Sequence, residues 1–152
     1  MPRKSSDEHQ ANTRLGALGE SLTKSFLLEW CDFVYDTCEK HPADLLCELG
    51  PAKYTVQVKT RKRTPEGKYV YATSEKFRQK SQIYQYYHVD ILAFVFIPSK
   101  RVFFKPNNSQ QNYWTFTDKI ITPNMELETF TESIKSCECV PVIRPLLDEA
   151  DK

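Results

Sequence analysis

A chain of 152 residues, 40% hydrophobic and 27% charged, has the size and make-up of one globular domain around one core. No stretch approaches the ~20 consecutive apolar residues of a membrane span, and the polar start (Met1-Pro-Arg-Lys-Ser-Ser-Asp-Glu) has no apolar segment of the export type. A soluble, cytoplasmic protein with no membrane partner is expected. The net charge of +1 hides a strong asymmetry: residues 1–52 carry five Lys/Arg against nine Asp/Glu, and residues 106–152 carry four against eight. Residues 53–105 carry twelve against three. A block this basic suits a phosphate backbone, since each neutralised phosphate releases counterions.

In chain order, residues 1–12 are polar and without period, and read as a flexible tail. A single domain is expected over residues 13–152, with its core in 14–105 and a C-terminal extension in 106–152. From Thr13 to about Cys31, Leu15, Leu18, Leu22, Phe26 and Trp30 recur at helical spacing. Gly16 and Gly19 flank that stripe, where they would let the helix approach a sheet. Residues 32–37 alternate as a strand. Strands near 44–49 and 54–62 follow, joined by the turn sequence Gly50-Pro51-Ala52-Lys53. Residues 69–73 suggest another short strand, and the polar, aromatic stretch 75–87 suggests a helix.

Asp90-Ile-Leu-Ala-Phe-Val-Phe-Ile97 is a nearly continuous apolar run closed by Pro98, the pattern of a strand buried on both faces. A turn at Ser99-Lys100 leads to a strand at 101–104. Beyond Pro106 come a loop-like stretch, an aromatic segment at 113–116 and a weak helical pattern at 126–135. The order helix, three strands, helix, strand predicts an α/β fold with a mixed central sheet flanked by helices. Five cysteines (31, 38, 47, 137, 139) lack paired zinc spacing. Cys31 and Cys47 lie among apolar neighbours and read as reduced core thiols.

The polar positions of the two middle strands carry the chemistry. Residues i and i+2 of a strand share a face, so Gln57 and Lys59 point together while Val56 and Val58 face the core. Asp44 stands at the mouth of the preceding strand. One carboxylate, one neutral oxygen donor and one cation form a plausible Mg²⁺ site for phosphodiester hydrolysis. Asp44 would anchor the metal, Gln57 and the backbone carbonyl of Val58 would add oxygens, and Lys59 would steady the developing charge. Glu20, on the flank of the helical stripe, is the further acid within reach. Singly, these residues also read as a solvent-facing helix glutamate, a turn aspartate and a wet strand face, so their weight is joint. Glu48 is open as a second acid or a merely exposed one.

The pattern Gly16-x-x-Gly19-Glu20, Asp44, Gln57-Val58-Lys59 and Val89-Asp90-Ile-Leu-Ala-Phe-Val resembles the PD-(D/E)XK nuclease superfamily over roughly residues 14–105. More narrowly, it is similar to the group I intron-encoded homing endonucleases of cyanobacteria, in which a glutamine replaces the usual glutamate. The resemblance implies an αβββαβ core and an active site of Glu20, Asp44, Gln57 and Lys59. It implies Mg²⁺ (with Mn²⁺ as an alternative), double-stranded DNA as substrate and a homo-oligomer, dimer or tetramer. Pro42 stands two residues before Asp44 rather than adjacent, and Asp90 reads as a strand-start residue outside the catalytic set. DNA contacts are expected from Arg61, Lys62, Arg63, Lys68, Lys76, Arg78, Lys80 and Gln82. A Holliday-junction resolvase or restriction-like nuclease of the same fold, or an inactive DNA-binding relative, are the alternatives.

Overall fold

The structure, a computed structural model, describes residues 6–38, 40–72, 89–107 and 113–138. Helix α1 (Ser6–Trp30) is followed by β1 (Phe33–Asp36), β2 (Leu45–Leu49) and β3 (Ala52–Lys62), an antiparallel meander. β4 (Lys68–Ala72) leaves this sheet. β5 (Ile91–Ile97) returns to it parallel to β3, and β6 (Arg101–Pro106) pairs antiparallel with β5, giving the order β1-β2-β3-β5-β6. β7 (Tyr113–Thr117) pairs with β4 in a separate two-stranded ribbon. A 3₁₀ turn (Asp118–Ile120) leads to α2 (Met125–Glu138).

The period of two in β5 divides the core. Ile91, Ala93, Val95 and Ile97 face one cluster, with Leu27 of α1 and Phe130 of α2. Leu92, Phe94 and Phe96 face the other, with Tyr69, Tyr71 and Trp114 of the ribbon. All seven residues of β5 are buried, as the continuous apolar run predicted. The layers are therefore helices, sheet and ribbon. Asp90 fastens β5 to β3: its Oδ2 accepts the Thr55 N–H at 2.8 Å, and its own N–H donates to Thr55 Oγ1 at 3.0 Å. This is the strand-start role expected of it. Cys31 and Cys47 are buried free thiols in the helix-side cluster.

Four features differ from expectation. α1 begins at Ser6, so residues 6–12, expected as a tail, are helical. Asp7 and Glu8 complement the helix dipole in the first turn, and this exposed part needs no packing partner to form. The buried line of α1 runs through Gly19, Thr23 and Leu27, while Leu18 is half-exposed. Small residues at the contact bring the helix close to the sheet, and Leu15, Leu22, Phe26 and Trp30 pack beside that line. β7 was not expected as a strand, and with α2 it builds the C-terminal extension into the core through Trp114, Met125 and Phe130. The turn between β2 and β3 is tighter than expected, with Ala52 and Lys53 already in β3 and Gly50 at φ +60°. The helix expected at 75–87 lies outside the described residues. Among the described residues, no helix is long and apolar enough to cross a membrane.

Candidate active site

β2 pairs with β3 only as far as Leu45 opposite Val56. One residue before β2, Asp44 stands at the end of this ladder, while Gln57 and Lys59 share one face of β3. The edge of β3 beyond Val56 has lost its strand partner, and Asp44 takes over the pairing. Its N–H donates to the Val56 carbonyl at 2.9 Å, and its Oδ2 accepts the Val58 N–H at 2.7 Å. A strand residue turns its N–H and C=O to the same edge, so the Val58 carbonyl also lies on the edge that β2 vacates.

The loop presenting Asp44 is pinned at each step. His41 Nδ1 accepts the Ala43 N–H at 3.0 Å, and the Thr37 hydroxyl donates to the Ala43 carbonyl. Gln57 Nε2 donates to the Pro42 carbonyl at 3.1 Å. A carbonyl only accepts, which fixes the orientation of the Gln57 amide. Its amide oxygen is the end with the chemistry of a metal ligand. Here lies a physical reason for glutamine at this position: a carboxylate could not donate to Pro42.

Glu20 reaches the same place from α1. Its carboxyl is near enough to that of Asp44 for each to act on the other's ionisation. Burial first, then the charges of Asp44 and Asp36, hold Glu20 above the usual carboxylate range. Burial also raises Asp44, although the Val58 N–H and the Lys59 ammonium pull the other way. Lys59 is lowered, by burial foremost and by Arg61 as well, against the attraction of Asp44. Two carboxyls that resist ionising beside an amine that resists protonation mark a poorly solvated site. Among the described residues there is no cluster of three or more His, Cys, Asp or Glu side chains fit for a metal. The oxygen set of two carboxylates, one carboxamide and one backbone carbonyl nonetheless fits Mg²⁺, which binds through one or two carboxylates and keeps water and phosphate ligands.

A cleft of about 500 Å³ opens beside this cluster. Asn12, Leu15, Gly16 and Glu20 of α1 form one wall, and residues 58–61 of β3 form the other. The sequence did not single out Asn12 as a site residue, and it placed Gly16 at a packing contact. A Cβ on Gly16 would meet nothing within 4 Å, whereas one on Gly19 would lie 1.7 Å from Thr60 Oγ1. Gly19 thus permits the close approach of helix and sheet, and Gly16 faces open space.

Of the basic side chains expected at DNA, Arg61, Lys62, Arg63 and Lys68 are exposed. Arg63 is tied to Asp118 by an ion pair of 2.8 Å, and Asp118 also accepts the Tyr69 hydroxyl. Arg63 therefore serves to fasten the end of β3 to the segment after β7. Lys76, Arg78, Lys80 and Gln82 lie outside the described residues. Glu48 pairs with Lys53 at 3.8 Å on the far part of β2 and does not join the site.

No protein-family model and no curated protein matches the sequence. Among solved structures, the chain is similar to a bacterial homing endonuclease, I-Ssp6803I, at 16% identity and a TM-score of 0.55, over 76% of this chain and 83% of that one. A looser overlap, with a TM-score of 0.43 and 13% identity, covers 66% of this chain and 84% of Archaeoglobus fulgidus Hjc, a Holliday junction resolvase from an archaeal hyperthermophile. The mixed sheet, the helix packed across β3 and the first of these likenesses agree on the fold: the chain shares the mixed α/β architecture of that solved structure.

Proposed function

We propose that this chain is a Mg²⁺-dependent endonuclease that cuts double-stranded DNA at specific sites, in the manner of a homing endonuclease. The observation that carries the proposal is the meeting of Glu20, Asp44 and Lys59, each shifted toward its neutral form, at the end of an open cleft. The likeness to a homing endonuclease supports the reaction class. The free oxygen of Asp44, the Glu20 carboxylate, the Gln57 amide oxygen and the Val58 carbonyl would hold the metal, and the same oxygens would accept Mn²⁺. When bound, the ion supplies neutralising charge to the phosphoryl oxygens and acidifies an attacking water.

The protein's own groups account for the rest. Pro42 and Val58 fix the Gln57 amide and the Asp44 carboxylate before substrate arrives. Lys59, poorly solvated, donates hydrogen bonds to the phosphoryl oxygens as charge builds there. The water oxygen forms the new P–O bond, one ester P–O bond breaks, and the departing oxygen takes up a proton. One subunit of this size covers little DNA, so a homo-oligomer, dimer or tetramer, would be needed to specify a long target.

The test is cleavage of a supercoiled plasmid library with Mg²⁺. Wild type should linearise a subset of plasmids. Lys59→Met and Asp44→Asn should each lose on the order of 10²-fold or more in rate, the scale of removing one charge-stabilising group. Cutting of branched DNA regardless of sequence would point to a junction resolvase instead. A wild type that binds DNA but leaves every plasmid and junction intact would make the chain a binding module, the reading that the neutral Gln57 favours.

A further inference from the structure

The cleft contains more than the reacting groups. α1 overhangs the sheet: its residues before Leu15 are exposed, and the helix carries Asn12, Gly16 and Glu20 at intervals of four, on one face. A glycine inside a helix costs about 1 kcal/mol relative to alanine. At Gly16 neither packing nor a positive φ asks for glycine, since a Cβ would meet nothing within 4 Å. What Gly16 supplies is room in the wall of the cleft.

Across from it, Arg61 follows Lys59 by two residues, about 6.6 Å along the strand. Its guanidinium folds back to the Thr60 carbonyl at 2.9 Å, on the edge of β3 that β2 has left open. Arg63 and Arg101 are engaged by Asp118 and Glu126, but among the described residues no carboxylate pairs with Arg61. The cleft therefore has an acidic end at Glu20, Lys59 beside it, and further along a guanidinium with no carboxylate partner among the described residues.

We propose that this cleft seats the sugar-phosphate unit next to the reacting phosphodiester, with Arg61 gripping its phosphate, Asn12 hydrogen-bonding to it and Gly16 leaving space for it against α1. The inference rests on the DNA-acting reading above and adds a subsite to it. The phosphate lies in line with the reacting one because Lys59 and Arg61 share a strand face. Arg61 is suited to the task by its planar fork of donors.

Binding to a pool of random-sequence duplex oligonucleotides, followed by fluorescence anisotropy in EDTA across a salt series, tests this without any cleavage. Arg61→Gln should weaken binding several-fold and reduce the slope of log K against log[salt] by about 0.9, the value of one lost phosphate contact. Gly16→Leu should weaken binding comparably while leaving the slope unchanged, because it fills space and removes no charge. Its thermal melt should match or exceed wild type, and Arg61→Gln, an exposed substitution, keeps the test open if it does not. If wild type binds duplex and Arg61→Gln retains the wild-type affinity and slope, the subsite is refuted while the DNA-acting reading stands. A wild type that binds no duplex at any salt concentration overturns both.

Discussion

At the scale of single residues, the site is held by bonds that run from side chains to backbone. Gln57 is the clearest case. Its amide nitrogen donates to Pro42, so the carboxamide has a positioning task that glutamate cannot perform. Gln57→Glu would leave the Pro42 carbonyl without its donor and place a third carboxylate beside Glu20 and Asp44. Loss of a partly buried hydrogen bond costs about 1–3 kcal/mol, and the added repulsion acts in the same direction. The variant should melt several degrees below wild type without metal and regain more than wild type does when Mg²⁺ is added, since the new carboxylate is a better metal ligand. Thermal melts with and without Mg²⁺ read both effects, and a metal-free melt equal to wild type would show that the Pro42 bond contributes nothing. Gln57, Lys59, Asp44 and Glu20 could be picked from the sequence because strand period and the order of polar groups bring them together. The Pro42 contact could not, because its acceptor is a backbone carbonyl and carries no residue signature.

Among the elements, the contact between α1 and β3 decides whether Glu20 reaches Asp44. That contact is made at Gly19, where the two backbones approach over Thr60. Gly19→Ala would set a Cβ 1.7 Å from Thr60 Oγ1, a clash that forces the helix to shift. Overpacking of this kind costs about 1–3 kcal/mol, which outweighs the ~1 kcal/mol that alanine gains as a helix former. Thr60→Ala in the same chain should recover part of the loss, because it removes the closest atom. A double-mutant cycle by urea unfolding measures the coupling, and additive effects within about 0.5 kcal/mol would show that Gly19 and Thr60 do not meet as described. Periodicity revealed α1 and the all-buried β5 because both are local patterns. It placed the start of α1 too late, since a solvated helix end has no apolar period to read. It also missed the ribbon, because β4 and β7 pair across some forty residues and neither run announces its partner. The wall of the cleft at Asn12 was hidden for the first of these reasons.

For the molecule as a whole, the candidate site is a local weakness that a divalent cation should repair. Glu20 and Asp44 have raised pKa values in the fold, so their contribution to stability is fully present below the ordinary carboxylate range and is lost as pH rises through the raised values. Lys59 is lowered, so its ammonium is a burden below the lowered value, and that burden eases as pH rises through it. Ionising the two carboxyls and keeping the ammonium therefore each act against the fold. A ligand that binds only the folded state adds RT ln(1 + [L]/Kd), about 2.7 kcal/mol at a hundred times Kd. For a domain of this size that is a rise in Tm of several degrees. The rise with Mg²⁺, or with Ca²⁺ as a probe, should be largest near pH 7.5 and fade as the pH falls through the raised carboxylate values, where protons replace the metal. Asp44→Asn keeps an acceptor for the Val58 N–H and removes one of the two facing charges. It should raise the metal-free Tm at pH 7.5 and abolish the metal-induced rise, whereas Asp44→Ala, which strands that N–H, should lower the Tm. Differential scanning calorimetry of the three proteins across pH, with and without the cation, separates these cases. An equal metal response in wild type and Asp44→Asn would mean that the cation binds elsewhere.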